Sequence, residues 1–212
     1  ILPKRSLSRR QLIQWSGLAG GGLLLNSCGS NFGSTEVGRF TEPLNQVVQD
    51  LMTSQRPVPE YSLNQIEPDA LLINTFGTTP QIDRTKFRLT VAGEVNNPLQ
   101  LSFTEIQQMP LTSMVIRHVC VEGWAAIVQW GGVRLRDLIA LAQPKSSARY
   151  VYFKSADGYY ESWDLKSSLH PQTLLAYQKN GQPISIENGA LLRLASPIKL
   201  GYKQSKWVTE VL

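Results

Sequence analysis

Cys120 sits between His118 and Glu122 in the stretch RHVCVEGWAAIVQW, residues 117–130. Alternate side chains of a strand share a face. An extended backbone here therefore makes the imidazole, the thiol and the carboxylate neighbours, with Val119 and Val121 on the other side. Such a face permits three chemistries. A free cysteine can simply pack, as one of the most buried residue types. It can act as a nucleophile, with His118 lowering the thiol pKa and Glu122 orienting the imidazole. Its thiolate can also serve as a soft-metal ligand. The chain restricts that third option. Its two cysteines, Cys28 and Cys120, make no C-x-x-C pair, haem-attachment site or disulfide framework. His118 and His170, its only histidines, have no zinc-ligand spacing. A metal held at Cys120 must bring most of its own coordination shell.

Presenting that face requires a strand, and TSMVIRHVCV (112–121) is β-rich enough to read as a central one. Ahead of it, KFRLTVAGEV alternates polar and apolar residues like a half-buried strand and turns at Asn96-Asn97-Pro98. LSFTEIQQMP offers Ser102 or Thr104 as the cap of a short helix that Pro110 stops. Beyond it, RLRDLIALA sets Leu135, Leu138, Ile139 and Leu141 on one helical face. ARYVYFKSADGYYESWDL reads as a hairpin turning at Asp157-Gly158, and TLLAYQKNGQPIS turns at Asn180-Gly181. Two strands flanking a Gly/Pro/Lys loop close the chain. Many strands, few short helices and no regular βαβ alternation predict an α+β fold.

Composition fixes what surrounds this domain. Of 212 residues, 42% are hydrophobic and 17% charged, which suits a globular core. The net charge of +5 owes four charges to Lys4, Arg5, Arg9 and Arg10. The body is thus nearly neutral, and nucleic-acid binding is not implied. Residues 1–28 combine this basic start with an apolar, Gly-rich run from Leu12 to Leu25 that falls short of the ~20 residues of a spanning helix. Ser8-Arg9-Arg10-Gln11-Leu12-Ile13 resembles a twin-arginine signal, so export to the periplasm or an equivalent compartment is expected. Leu25-Asn26-Ser27-Cys28 resembles a lipoprotein box, with Cys28 as a candidate lipid anchor. Residues 29–70 read as linker and a short helix, with Leu44, Val47, Val48 and Leu51 at helical spacing before Pro57 and Pro59. Residues 71–212 form the main domain.

The run C-V-E-G-W (120–124) and the Trp-Gly stretch after it are similar to the cofactor segment of the sulfite oxidase superfamily of molybdenum enzymes. The likeness is strongest to the branch of periplasmic methionine-sulfoxide reductase catalytic subunits. FRLTVAGEVNNPLQLSFTEI, GGVRLRDLIALAQPKSSARYVYFKSADGYYESWDL, HPQTLLAYQKNGQPI and NGALLRLASPIKLGYKQSKWV also resemble family segments, in the family's order. The resemblance implies a sulfite oxidase-type molybdopterin-binding domain with mixed β-sheets and short helices. It implies a molybdenum-molybdopterin cofactor with two dithiolene sulfurs of its own, and Cys120 as its protein ligand. Glu122 falls on the acid beside the metal region. Positions lining the pterin and its phosphate fall on Asn74, Gly77, Thr78, Ser155, Asn188, Arg193 and the loop Lys203, Gln204, Ser205 and Lys206. Ser155 keeps the hydroxyl of the Thr usual in the reductase branch, and Asn188 matches that branch. A phosphate dianion also suits a cluster of Arg193, Lys199, Lys203 and Lys206 beside Gly201.

The implied activity is oxygen-atom transfer, reductase-like on a sulfoxide or similar small S- or N-oxide. Glu122 or His118 would handle protons, and Trp124 and Tyr202 would wall the pocket. The alternative is oxidation of sulfite, with Arg117 or Lys199 holding the anion. A second alternative is a cofactor-free thiol enzyme using Cys120. With no haem motif in the sequence, electrons are expected to pass through a separate redox partner, a membrane haem protein or a soluble cytochrome. A monomer is expected, because the dimerising domain of many sulfite oxidases finds no counterpart in the sequence.

Overall fold

The structure, a computed structural model, describes residues 41–44, 47–48 and 55–212. The twin-arginine and Cys28 readings lie outside the described residues, as does Leu51. Residues 41–44 and 47–48 are helical, where spacing predicts a helix, and belong to a unit of their own. The described residues from 55 onward form one compact unit. In chain order its elements are β1 (Arg88–Val91), β2 (Leu99–Ser102), α1 (Phe103–Gln108), β3 (Thr112–Val119), β4 (Ala125–Arg134) and α2 (Leu135–Ala142). There follow β5 (Tyr150–Ser155), β6 (Tyr160–Asp164), α3 (Leu165–Ser168), β7 (Leu174–Lys179), β8 (Gln182–Pro183), β9 (Arg193–Ala195) and β10 (Val208–Val211).

Two sheets result. One runs β2-β1-β10-β5-β6 and the other β3-β4-β7-β8, with β9 also on β7. β1 and β10 pair in parallel, Thr90 opposite Glu210, while the other strand pairs are antiparallel. This is the α+β class with mixed sheets and short helices that the sequence implies.

Local chemistry explains the elements. Ser102 caps α1: its Oγ accepts from the Glu105 amide at 3.2 Å, and Glu105 Oε2 accepts from the Ser102 amide at 2.7 Å. α2 buries Leu135, Leu138, Ile139 and Ala142, while Leu141 is half exposed. Ala142, four residues on from Leu138 and seven on from Leu135, takes the place expected for Leu141. Helices and sheets share a core of Leu89, Val91, Phe103, Ile106, Leu138, Phe153, Trp163, Leu175, Leu194 and Val208. Each large aliphatic side chain so buried contributes about 1.5–3 kcal/mol. A second core lies on the other face of the second sheet, built from Met114, Ile116, Ala126, Val128, Trp130 and Leu174 with Leu71. Gly132 marks a register shift between β4 and β7, and a Cβ there would lie 2.2 Å from the Leu175 carbonyl oxygen. Only glycine lets the two backbones approach so closely.

One expectation is corrected. β3, read as a central strand, is the edge of its sheet. Its Val115, on the face opposite Met114 and Ile116, is buried, and the segment 55–70 bonds along the free edges of the hairpin. Tyr61 N donates to Val115 O at 2.9 Å and Glu67 N to Ile127 O at 2.9 Å. A residue run buried on both faces reads as central, whatever covers it.

Candidate functional site

β3 and β4 form a hairpin whose ladder closes with the Cys120 amide donating to the Trp124 carbonyl at 2.9 Å. Cys120 therefore stands at the hairpin tip. Residues 121–123 form the turn, in which Gly123 N donates to Cys120 O at 3.2 Å. Glu122 reaches the thiol through this turn and not through the pleat that the sequence suggests. Its Oε2 accepts from Asn74 Nδ2 at 2.7 Å, Trp124 Nε1 at 2.8 Å and Cys120 Sγ at 3.5 Å. These bonds, Trp124 foremost, then Asn74 and Cys120, hold its carboxyl below the usual range.

His118 shares the buried face with Cys120, as strand alternation requires. It stacks on Trp124, with centroids 6.0 Å apart, and its Nδ1 has no hydrogen-bond partner among the described residues. Burial and then the Arg193 charge push its pKa down to about 3. The imidazole is therefore neutral, and a neutral ring cannot supply the positive charge that activates a nucleophilic thiol. Gly201 makes room for it, since a Cβ there would lie 2.8 Å from His118 Nε2.

These residues open onto a cavity of about 310 Å³. It brings together Asn74, His118, Cys120, Glu122, Asn188, Arg193, Gln204, Ser205 and Lys206 from the sequence-predicted set, and Trp124 and Tyr202 wall it. Gly77, Thr78, Ser155 and Lys203 do not line it. Ser155 lies buried one residue before the 156–158 turn, its Oγ without a hydrogen-bond partner among the described residues. Lys203 Nζ turns to Glu161 at 2.7 Å, and Lys199 Nζ to Asp164 at 3.0 Å. The expected four-cation cluster thus reduces to two. The reason is visible in the strands: β6 carries the two acids that claim Lys199 and Lys203.

Arg193 and Lys206 are the cations left facing the cavity. Arg193, fully buried on β9, donates through Nη1 to the Asn188 carbonyl at 2.9 Å and through Nε to the Leu194 carbonyl at 3.2 Å. Its guanidinium lies 4.4 Å over the Trp130 ring. Burial pushes its pKa down to about 9. Lys206 donates to the carbonyls of Asn74 and Glu187, the latter at 3.0 Å. Burial and Arg193 push its pKa down to about 8. Two desolvated cations bonded to carbonyls, beside a Ser205 Oγ with no partner among the described residues, fit an anion such as a phosphate group.

Lys206 makes this fit pH-dependent. In the cofactor-free chain, burial penalises its charged form. Relative stability should therefore rise as pH climbs through about 8 towards the ordinary lysine value. A bound dianion reverses the sign, because it favours the protonated lysine. Inorganic phosphate should raise the melting temperature more at pH 7 than at pH 9, and Lys206→Met should flatten that difference. Thermal shift with and without phosphate reads this directly.

Several wall residues have no sequence signal. Leu71, Leu72, Ile73 and Thr75 come from a stretch without regular structure, and Asp157 and Tyr159 from the β5–β6 turn. Tyr159 donates to Tyr202 O at 2.7 Å. Burial, with Glu161 adding to it, pushes its pKa up to about 12.

The chain resembles known proteins over this domain. It is 40% identical over 128 residues to the putative protein-methionine-sulfoxide reductase subunit YedZ1 of Azospira oryzae, covering 60% of this chain and 49% of that one. It is 32% identical over 142 residues to the protein-methionine-sulfoxide reductase catalytic subunit MsrP of Campylobacter jejuni, covering 59% and 48%. The chain spans about half the length of the curated relatives it matches. Among solved structures, the sulfane dehydrogenase SoxCD of Paracoccus pantotrophus shares the fold, with a TM-score of 0.60 at 23% identity over 63% of this chain and 39% of that one. The sequence model of the oxidoreductase molybdopterin-binding domain matches residues 76–212, which carry both sheets and all but one segment of the cavity wall, and the chain belongs to that family.

Proposed function

We propose that this chain is the molybdopterin-carrying part of an exported oxidoreductase that transfers an oxygen atom, acting as a reductase of sulfoxides or similar S- and N-oxides. One observation carries the reading: the Cys120 thiol shares a cavity with two buried or half-buried cations, Arg193 and Lys206, whose side-chain hydrogen bonds among the described residues go to backbone carbonyls, with Asp157 the one carboxylate that favours the Lys206 charge. Among the described residues no group of three or more His, Cys, Asp or Glu is placed to hold a metal ion. Cys120 would thus give one thiolate to a metal whose other ligands arrive with the pterin. Bound there, the molybdenum-molybdopterin group supplies the two-electron redox chemistry.

The protein's own residues bind, orient and seal. Arg193 and Lys206 would hold the pterin phosphate, with Asn188 and Ser205 beside them, while Gln204, bonded to the Ser196 and Lys199 backbone, would fix the loop that carries them. Glu122 takes part in proton handling, and Asn74 and Trp124 fix its carboxylate beside the thiol. His118, neutral and stacked, supports the wall and is not a cationic acid.

A reductase reading is favoured over sulfite oxidation by the cavity mouth. Leu72, Ile73, Val121 and Tyr202 stand exposed on its rim. Arg117, the alternative holder of sulfite, is exposed on β3 and does not line the cavity, and Lys199 is paired with Asp164. The names of the relatives agree with this direction. Electrons would come from a separate partner, a membrane haem protein or soluble cytochrome, and export would follow the twin-arginine leader, with the Cys28 anchor as its optional retention. The cofactor-loaded protein should consume methionine sulfoxide with a reduced dye as donor and leave sulfite unoxidised. Turnover of sulfite with an acceptor dye, and none of the sulfoxide, overturns this direction.

A further inference from the structure

Residues 55–75 precede the stretch that matches the family, yet they wrap the hairpin that carries Cys120. The wrap begins at α3 and the segment after it. Gln172 Oε1 accepts from Val58 N at 2.7 Å, and its Nε2 donates to Val58 O at 2.9 Å and Glu60 Oε1 at 3.1 Å. Two matching grips follow. On the outer edge of β3, Val115 O accepts from Tyr61 N at 2.9 Å and Val115 N donates to Glu60 Oε2 at 3.3 Å. On the opposite edge of β4, ahead of Trp130 where β7 joins, Ile127 O accepts from Glu67 N at 2.9 Å and Ile127 N donates to Glu67 Oε2 at 2.9 Å.

Each grip joins one backbone bond to one carboxylate, and together they take both open edges of the hairpin. The chain then turns under it. Leu71 enters the core on the His118 face with Ile116 and Ala126, and Leu71–Thr75 becomes cavity wall. There Asn74 closes the loop by donating to Glu122 at the hairpin tip.

We infer that Glu60 and Glu67 are positioning residues, and that their strap clamps the β3–β4 hairpin so that Cys120 is held at one place in the cavity. A two-stranded hairpin end is marginal by itself, and Cys120 lies beyond the last strand residue of β3. Carboxylate-to-amide bonds are among the stronger neutral-charged kind, so two of them on opposite edges resist both fraying and twisting. The purpose given to the clamp rests on Cys120 being the metal ligand, but the clamp itself does not.

The test uses the full chain free of cofactor, labelled with N-ethylmaleimide well below its melting temperature, with Cys120 and Cys28 peptides quantified separately by mass. Glu67→Ala should raise the Cys120 labelling rate roughly tenfold and speed amide exchange at Ile127 and residues 121–123. Glu67→Gln, which keeps an oxygen acceptor for Ile127 N, should stay within about twofold of the parent. A purely structural part would lower melting temperature without that separation between Ala and Gln. Unchanged labelling in a folded Glu67→Ala chain, or equal damage by Gln, overturns the inference. Should Glu67→Ala fail to fold, native-state hydrogen exchange on the unsubstituted chain decides. Protection of Val115 and Ile127 amides close to that of β7 supports the clamp, and exchange at the pace of exposed edge amides refutes it. Because no metal enters these readings, absence of molybdenum from the loaded protein would sink the functional reading and leave the clamp standing.

Discussion

Cys120→Ser is expected to yield a folded chain that no longer holds molybdenum through sulfur and that loses oxygen-transfer activity by more than about 100-fold. That floor follows from metal sites in general, where loss of a mere supporting partner already costs about 10–100-fold in affinity or activity. The fold should survive, since serine nearly matches the thiol in volume and its hydroxyl can still donate to Glu122 as Cys120 Sγ does. Circular dichroism and the melting temperature check the fold, and metal analysis with turnover checks the site. A folded Cys120→Ser chain with full metal and full activity would leave the thiol as packing. Loss of activity in a parent that never held metal would instead revive the thiol enzyme, although the neutral His118 beside the thiol offers it no activating charge.

Arg193→Met is expected to separate stability from cofactor binding, in opposite directions. Arg193 is buried, bonded among the described residues to the Asn188 and Leu194 carbonyls and stacked on Trp130, so it keeps a charge without an ion-pair partner there out of water. Removing an unpaired buried charge relieves a desolvation penalty of about several kcal/mol, against about 1–3 kcal/mol for each of the Asn188 and Leu194 carbonyls that loses its donor. The cofactor-free Arg193→Met chain should therefore unfold at equal or higher denaturant concentration than the parent. Its retention of pterin should fall sharply, by more than about tenfold, since a desolvated charge-assisted contact to a phosphate contributes upward of about 1.5 kcal/mol. Lys206 should regain a more ordinary pKa, because Arg193 is one cause of its depression. Denaturant titration, pterin fluorescence after gel filtration and the phosphate thermal shift against pH read these three effects.

The parts of the fold that local pattern governs were legible. Ser102 with Glu105 announces α1, Asp157-Gly158 and Asn180-Gly181 announce their turns, and alternation marks β1. Pairing across long range was not. β3 reads as central because Val115 is apolar, and nothing in its own residues tells that a strap rather than a strand covers it. The candidate site divides the same way. Cys120, Glu122, Asn188 and Arg193 were found through resemblance in segments whose order is clear, and the cavity gathers them. Lys199 and Lys203 look like phosphate ligands by spacing, but Glu161 and Asp164, some forty residues earlier, hold them. Of Leu71–Thr75 only Asn74 was placed by resemblance; the others carry no motif, and the folded chain brings them to the cavity.

A bond from one thiolate, Cys120, to a molybdenum that arrives with a dithiolene pterin has a direct signature. X-ray absorption at the molybdenum edge of the natively exported protein tests it most directly. About one molybdenum per chain with about three sulfur neighbours is predicted, falling to about two in Cys120→Ser. A protein without molybdenum, or one whose sulfur count is the same in Cys120→Ser as in the parent, would contradict it.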